Sequence, residues 1–154
     1  MTLFSLVAFN GLLLCAAVSD VTRYRIPNLL PALLALSGLV LAMPFSLDAA
    51  LSRAASLGLV AVIATPLWLR GLLGGGDLKL LIGSALWIPL GGLATFAMAL
   101  GLASGLQGVA VLACSHFAGR TPLATAARAR VPYAVSIAAA GLVWSARAWL
   151  TAAS

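Results

Sequence analysis

Residues 74–81 read Gly74-Gly75-Gly76-Asp77-Leu78-Lys79-Leu80-Leu81. The stretch lies between two long apolar runs and holds one of three acidic residues in the chain. The others are Asp20 and Asp48, and there is no glutamate. A carboxylate in a membrane helix costs about 2.5–3.5 kcal/mol at the helix centre on insertion scales, and less toward its ends. Acids kept beside apolar spans therefore call for a chemical reason. The three glycines ahead of Asp77 allow a sharp bend and a close approach to the backbone, because glycine adopts φ > 0 at little cost.

Working outward, the 154 residues are 63% hydrophobic and 8% charged, with a mean hydropathy of +1.13. Soluble domains carry about 25% charged residues, so the composition is that of a membrane protein. The net charge of +6 comes from nine cations against three acids. Those cations stand one to three at a time between apolar runs, without the basic, aromatic-interleaved tracts of a nucleic-acid binder. They read as orientation signals, and no nucleic-acid partner is expected. Cys15 and Cys114 both lie in apolar runs and are expected to be buried thiols. With no CxxC pair, neither a disulfide nor a metal site is expected. The apolar N-terminus lacks the basic start of a signal peptide and is expected to be a retained first span.

Apolar runs of about 17–25 residues mark membrane helices. They predict an all-α, polytopic membrane protein of about six transmembrane helices, over residues 2–19, 29–43, 51–69, 77–90, 93–114 and 132–150. Pro27 suits the first turn of the second helix, where its missing N–H costs nothing. Cations then fall seven to one side (Arg23, Arg25, Arg70, Lys79, Arg120, Arg128 and Arg130) and two to the other (Arg53 and Arg147). The cytoplasmic side carries the excess, which puts the N-terminus outside. Asp20 and Asp77 then share the cytoplasmic boundary, and Asp48 lies opposite. Gly101-x-x-x-Gly105 matches the close-packing pattern of membrane helices and reads as packing within the bundle rather than self-association. Trp68, Trp87, Trp144 and Trp149 lie near span ends and read as interfacial anchors.

Two carboxylates that share a site cannot both ionise easily. One keeps a proton, and the pair can act on water as base and acid. That is the chemistry of an aspartic protease. The residues alone leave a structural reading open at equal weight: Asp77 as a helix cap, and Asp20 as a turn cap or a partner of Arg23 or Arg25.

Gly74-Gly75-Gly76-Asp77-Leu78-Lys79-Leu80 resembles the GxGDxKL signature of type IV prepilin peptidases, part of the GxGD membrane aspartyl proteases. Asp20, followed by Arg23, Arg25 and then Ile26-Pro27-Asn28, resembles that family's first aspartate motif. Val131-Pro132-Tyr133-Ala134-Val135-Ser136-Ile137-Ala138 resembles its P-Y-G-x-A-I segment, with Ala134 in place of the usual glycine. The resemblance covers nearly the whole chain. It implies that Asp20 and Asp77 are the catalytic pair, with no cofactor. The implied substrate is a prepilin with a basic leader and an apolar helix, cleaved at the cytoplasmic face of the bacterial inner membrane just after a glycine. Membrane lipids and pilus-assembly proteins are the further partners. Larger family members carry a cytoplasmic insertion with paired CxxC motifs. This chain has none, which implies the short peptidase-only form associated with Flp/Tad-type pili, one transmembrane domain over residues 1–154.

Other candidates follow from their neighbours in these motifs. Gly74 and Gly76 are expected to shape the loop so that substrate backbone can reach Asp77. Lys79 lies about 200° round the helix from Asp77 and is expected to reach for lipid phosphates, with a site role alongside Asn28 implied by the motifs. The rivals from other classes are a non-catalytic membrane component of pilus assembly or secretion, and a small proton-coupled transporter. A transporter would place its acids at mid-membrane, on broken helices in two halves.

Overall fold

The computed structural model describes residues 2–42, 46–117 and 132–153, and in them the chain forms six helices and no strand. These are α1 Leu3–Arg23, α2 Leu29–Leu41, α3 Leu47–Leu69, α4 Gly75–Ala85, α5 Leu90–Phe117 and α6 Tyr133–Ala153. Arg120, Arg128, Arg130 and Val131 lie outside the described residues.

Capping sets several boundaries. The Thr2 hydroxyl accepts from Ser5 N–H at 3.3 Å and starts α1. The Ser46 hydroxyl accepts from Ala49 N–H, also at 3.3 Å, and starts α3. α1 ends where Tyr24 turns left-handed at φ 49° and its N–H reaches back to Asp20 O. Gly71, at φ 73°, turns the chain out of α3. Pro27 precedes α2 rather than entering its first turn, and its carbonyl accepts from Leu30 N–H at 3.1 Å.

Among the described residues, four helices are long and apolar enough to cross a membrane: α1, α3, residues 90–114 of α5, and α6. The second and fourth expected spans are shorter than read. α2 has 13 residues and α4 has 11, or about 20 and 17 Å against a hydrocarbon core of about 30 Å. At α4 proline is the physical reason. Pro89 lacks an N–H and disfavours helical backbone at Ile88, so α4 gives way to a turn after Ala85.

The pairings fix the topology. α2 and α4 run parallel, joined at one end by Asn28 and Lys79 and at the other by Trp87, whose indole N–H donates to Leu34 O at 2.8 Å. α3 carries the chain back from α2 to α4 and packs on α4, with Ser52 Oγ accepting from Leu90 N–H at 2.9 Å. α6 runs antiparallel to α1, through Asn10 to Ser145, and to α5, through Gln107 to Ser136. The path is therefore up and down throughout. The C-terminal end of α1 and the N-terminal ends of α2, α4 and α6 meet at one end of the bundle. Asp48 lies at the other, in the first turn of α3.

The core gathers Phe9 and Leu13 of α1 against Trp87 and Trp144. Phe9 stacks tilted on Trp87 at 5.2 Å and edge-on to Trp144 at 5.4 Å. These two tryptophans are 0% and 3% exposed, so they are core rather than interfacial anchors, whereas Trp68 and Trp149 are 44% and 51% exposed. Close helix approach uses glycines other than the expected pair. A methyl on Gly38 would sit 2.9 Å from the Trp87 indole nitrogen, and one on Gly83 would sit 3.3 Å from Leu34. Gly101 and Gly105 have nothing within 4 Å of a Cβ position and do not serve packing inside this bundle. Cys15 and Cys114 are free, as read, but exposed rather than buried. They share the outer surface with Phe4, Val62, Leu106 and many other large apolar side chains, as a lipid-facing surface requires.

Candidate active site

Asp20 and Asp77 line one cleft of about 730 Å³ at the shared end of the bundle, walled by residues 23–28 and 74–76. Asp20 lies on the last turn of α1. Its Oδ2 accepts from the Ala134 backbone N–H at 3.3 Å. That N–H belongs to the first turn of α6, where the helix has no carbonyl of its own to offer it. The Pro132-Tyr133-Ala134 segment thus reaches the site through its backbone. A buried Ala134 fits where the family pattern has glycine.

Asp77 is the third residue of α4. Gly74 is the N-cap, so Asp77 does not cap the helix in the expected way. Its carboxylate instead reaches back and accepts from Gly74 N–H, the reciprocal half of a capping box. Asp77 is 9% exposed. Its Oδ1 is buried with no hydrogen-bond partner. α4 falls outside the four candidate spans, at the open end of the bundle. Burial pushes the Asp77 carboxyl up to about 6, the charge of Asp20 adds to that rise, and the Gly74 N–H opposes it. Around and below pH 6 the Asp77 carboxyl therefore keeps a proton that an ordinary carboxyl would have lost.

Glycine is required in this loop for space. A methyl on Gly74 would lie 2.6 Å from Asp77 Oδ2, and one on Gly76 would lie 3.0 Å from Ile26 Cβ. Gly76 thereby lets α4 dock on the Ile26-Pro27-Asn28 turn. Lys79 points away from Asp77, as its helical position requires, but it does not merely reach for lipid. Its Nζ donates to Asn28 Oδ1 at 2.8 Å. Asn28 is the N-cap of α2 and makes no cap bond with its side chain, which is spent on Lys79 instead. The two residues tie the two aspartate segments together.

Three supporting groups escaped the sequence reading. Ser19 Oγ donates to Arg25 O at 2.9 Å and folds the 20–25 turn onto α1. Ser136 Oγ donates to Gln107 Oε1 at 2.6 Å, and Gln107 Nε2 reaches Pro132 O at 3.5 Å, fixing the start of α6 beside Asp20. Gln107 had a signal: it is the one amide in an apolar run of more than 20 residues, where unpaired polar groups are expensive.

The type IV leader peptidase family model matches residues 7–139, a stretch that includes both aspartate segments and the start of α6. The chain belongs to the type IV leader peptidase family. It is accordingly a peptidase, a hydrolase of the class whose substrates are prepilins, and its apolar helices make this leader peptidase a membrane protein. No curated protein and no solved structure matches the chain.

Proposed function

We propose that this leader peptidase is an aspartyl endopeptidase of the bacterial inner membrane that cleaves Flp-type prepilins at the cytoplasmic face, with Asp20 and Asp77 as the catalytic pair. One observation carries the reading: two carboxylates from segments more than 50 residues apart line the same cleft. Asp20 takes a proton from a water molecule as its oxygen attacks the scissile carbonyl carbon. Asp77 gives its proton to the carbonyl oxygen. The tetrahedral diol then collapses: Asp77 takes back a hydroxyl proton, Asp20 gives its proton to the nitrogen, the C–N bond breaks, and the neutral amine leaves with both aspartates restored. Burial of Asp77 supports its part as acid, and the Ala134 N–H orients Asp20. The glycine-lined wall lets an extended backbone come close to Asp77.

The excess of cations on the aspartate end supports a cytoplasmic placement for the cleft and a multi-pass insertion with the N-terminus outside. Acids at the end of the bundle, rather than at mid-depth, favour hydrolysis over proton-coupled transport. Co-expression with a Flp-type prepilin tests the proposal. Asp20→Ala and Asp77→Ala, at normal abundance, leave the prepilin unprocessed, and Asp48→Ala processes it normally. Processing by either of the first two variants refutes the assignment.

A further inference from the structure

The bundle has a second polar cavity at the opposite end from the aspartates. It measures about 350 Å³, and its wall includes Arg53 of α3, Thr95 of α5, and Trp144, Arg147 and Thr151 of α6. Arg53 and Arg147 are the two cations on this side of the seven-to-two division. The fold brings both to one cavity, and no carboxylate lines it. Two guanidinium groups on the wall of one cavity that no carboxylate lines make it positively charged, so the arrangement favours an anion there.

The two arginines are prepared differently. Arg147 Nη1 donates to Thr95 Oγ1 at 2.8 Å, which fixes the guanidinium plane against α5. Arg53 Nη1 is buried and meets no acceptor among the described residues. A buried N–H of a charged group without a partner is costly, and a guanidinium fork matches the paired oxygens of a phosphate. Depth agrees. Arg53 lies six residues inside the start of α3 and Arg147 six residues before the end of α6. That is about 9 Å from each helix end, near the headgroup zone of the bilayer.

We propose that the Arg53–Arg147 cavity binds a phosphoryl group, from an anionic lipid headgroup or from free phosphate. The full-length protein is placed in nanodiscs of phosphatidylcholine, with and without phosphatidylglycerol, and in detergent with and without inorganic phosphate. The unfolding midpoint is read for wild type, Arg53→Gln, Arg147→Gln and, as a control at the other end, Arg70→Gln. A rise with phosphatidylglycerol that is lost in Arg53→Gln and Arg147→Gln but kept in Arg70→Gln identifies the lipid as source. The same pattern with inorganic phosphate identifies the free ion. Arg147 is exposed, so its variant reports even if Arg53→Gln fails to fold. No rise in wild type in either arm, or a rise kept in Arg147→Gln, overturns the proposal. So does an equal loss in Arg70→Gln, which would mark a general charge effect.

Discussion

Asp20 and Asp77 face one cleft from contrasting surroundings. Asp20 is half-buried at the end of a membrane-spanning helix and takes a hydrogen bond from the start of α6, more than 100 residues away. Asp77 is buried in the first turn of a short helix, takes its hydrogen bond from three residues upstream, and leaves one oxygen without a partner. The α1 segment is thus positioned by tertiary contacts and the α4 segment by its own loop. Under the proposed mechanism, these contrasting surroundings are what separates two chemically identical side chains into acid and base, while the shared cleft couples them.

The contrast can be broken most severely by removing either carboxyl. Asp20→Ala and Asp77→Ala should each lower kcat/KM on a synthetic prepilin peptide by about 10²–10⁴-fold, the usual contribution of a positioned acid or base. The double variant should lose little more than either single one, because the pair acts as a unit. Additive losses would mean that the two act independently.

A finer probe disturbs only the local support of Asp77. In Gly74→Ala the new methyl would press on Asp77 Oδ2. A displacement of about 1 Å at a catalytic group can cost about 10²-fold, and kcat should fall on that scale while abundance holds. Gly75→Ala, whose methyl would meet Trp68 at 3.4 Å, should be close to silent. Equal effects at the two positions would mean that glycine serves the turn rather than the carboxylate.

Protonation gives a third handle, read as stability. The folded state raises the Asp77 carboxyl from 3.8 to about 6 and so binds more protons than the unfolded chain between those values. The resulting destabilisation is absent below about 3.8, grows as pH rises, and is complete above about 6. Asp77→Asn, which cannot ionise, should therefore raise the unfolding midpoint at pH 7.5 and lose that advantage at the acid end. A gain independent of pH would contradict the assignment. The smallest effect belongs to the Lys79–Asn28 link. Lys79→Met and Asn28→Ala should each cost a few-fold in activity, on the order of 0.5–1.5 kcal/mol for one hydrogen bond. Their double variant should match the singles, and additivity would show that the bond carries nothing.

Much of this architecture was legible in the sequence, for identifiable reasons. Long apolar runs announce helices, and acids that survive among them announce chemistry, so α1, α3, α5, α6, Asp20 and Asp77 could all be placed. The cation asymmetry put both aspartates at one end, where the structure has them. Run length misled at α2 and α4, because the apolar character continues past the helix ends, at α4 up to Pro89. It misled again at Trp87 and Trp144. Nearness to a span end suggests an interface, but Trp87 follows the short α4 and turns into the core, and Trp144 lies midway along α6, facing Phe9. The Gly101–Gly105 spacing is a pairwise pattern, and a sequence does not say which neighbour is present to fill it. Contacts across the chain were illegible for a simpler reason. Lys79 to Asn28 and Asp20 to Ala134 join residues whose separation carries no periodic signal, and the same holds for Arg53 and Arg147, which line one cavity.

Carbon-13 NMR of the aspartate carboxyls addresses the coupling of the pair most directly, since the chain has only three aspartates and no glutamate to crowd the spectrum. In the wild type the Asp77 carboxyl should titrate near 6. In Asp20→Asn the midpoint should move toward acid, because a neighbouring charge is gone, while burial keeps it above the ordinary carboxylate value. A midpoint that is the same with and without the Asp20 charge would show that the two carboxyls do not share a site.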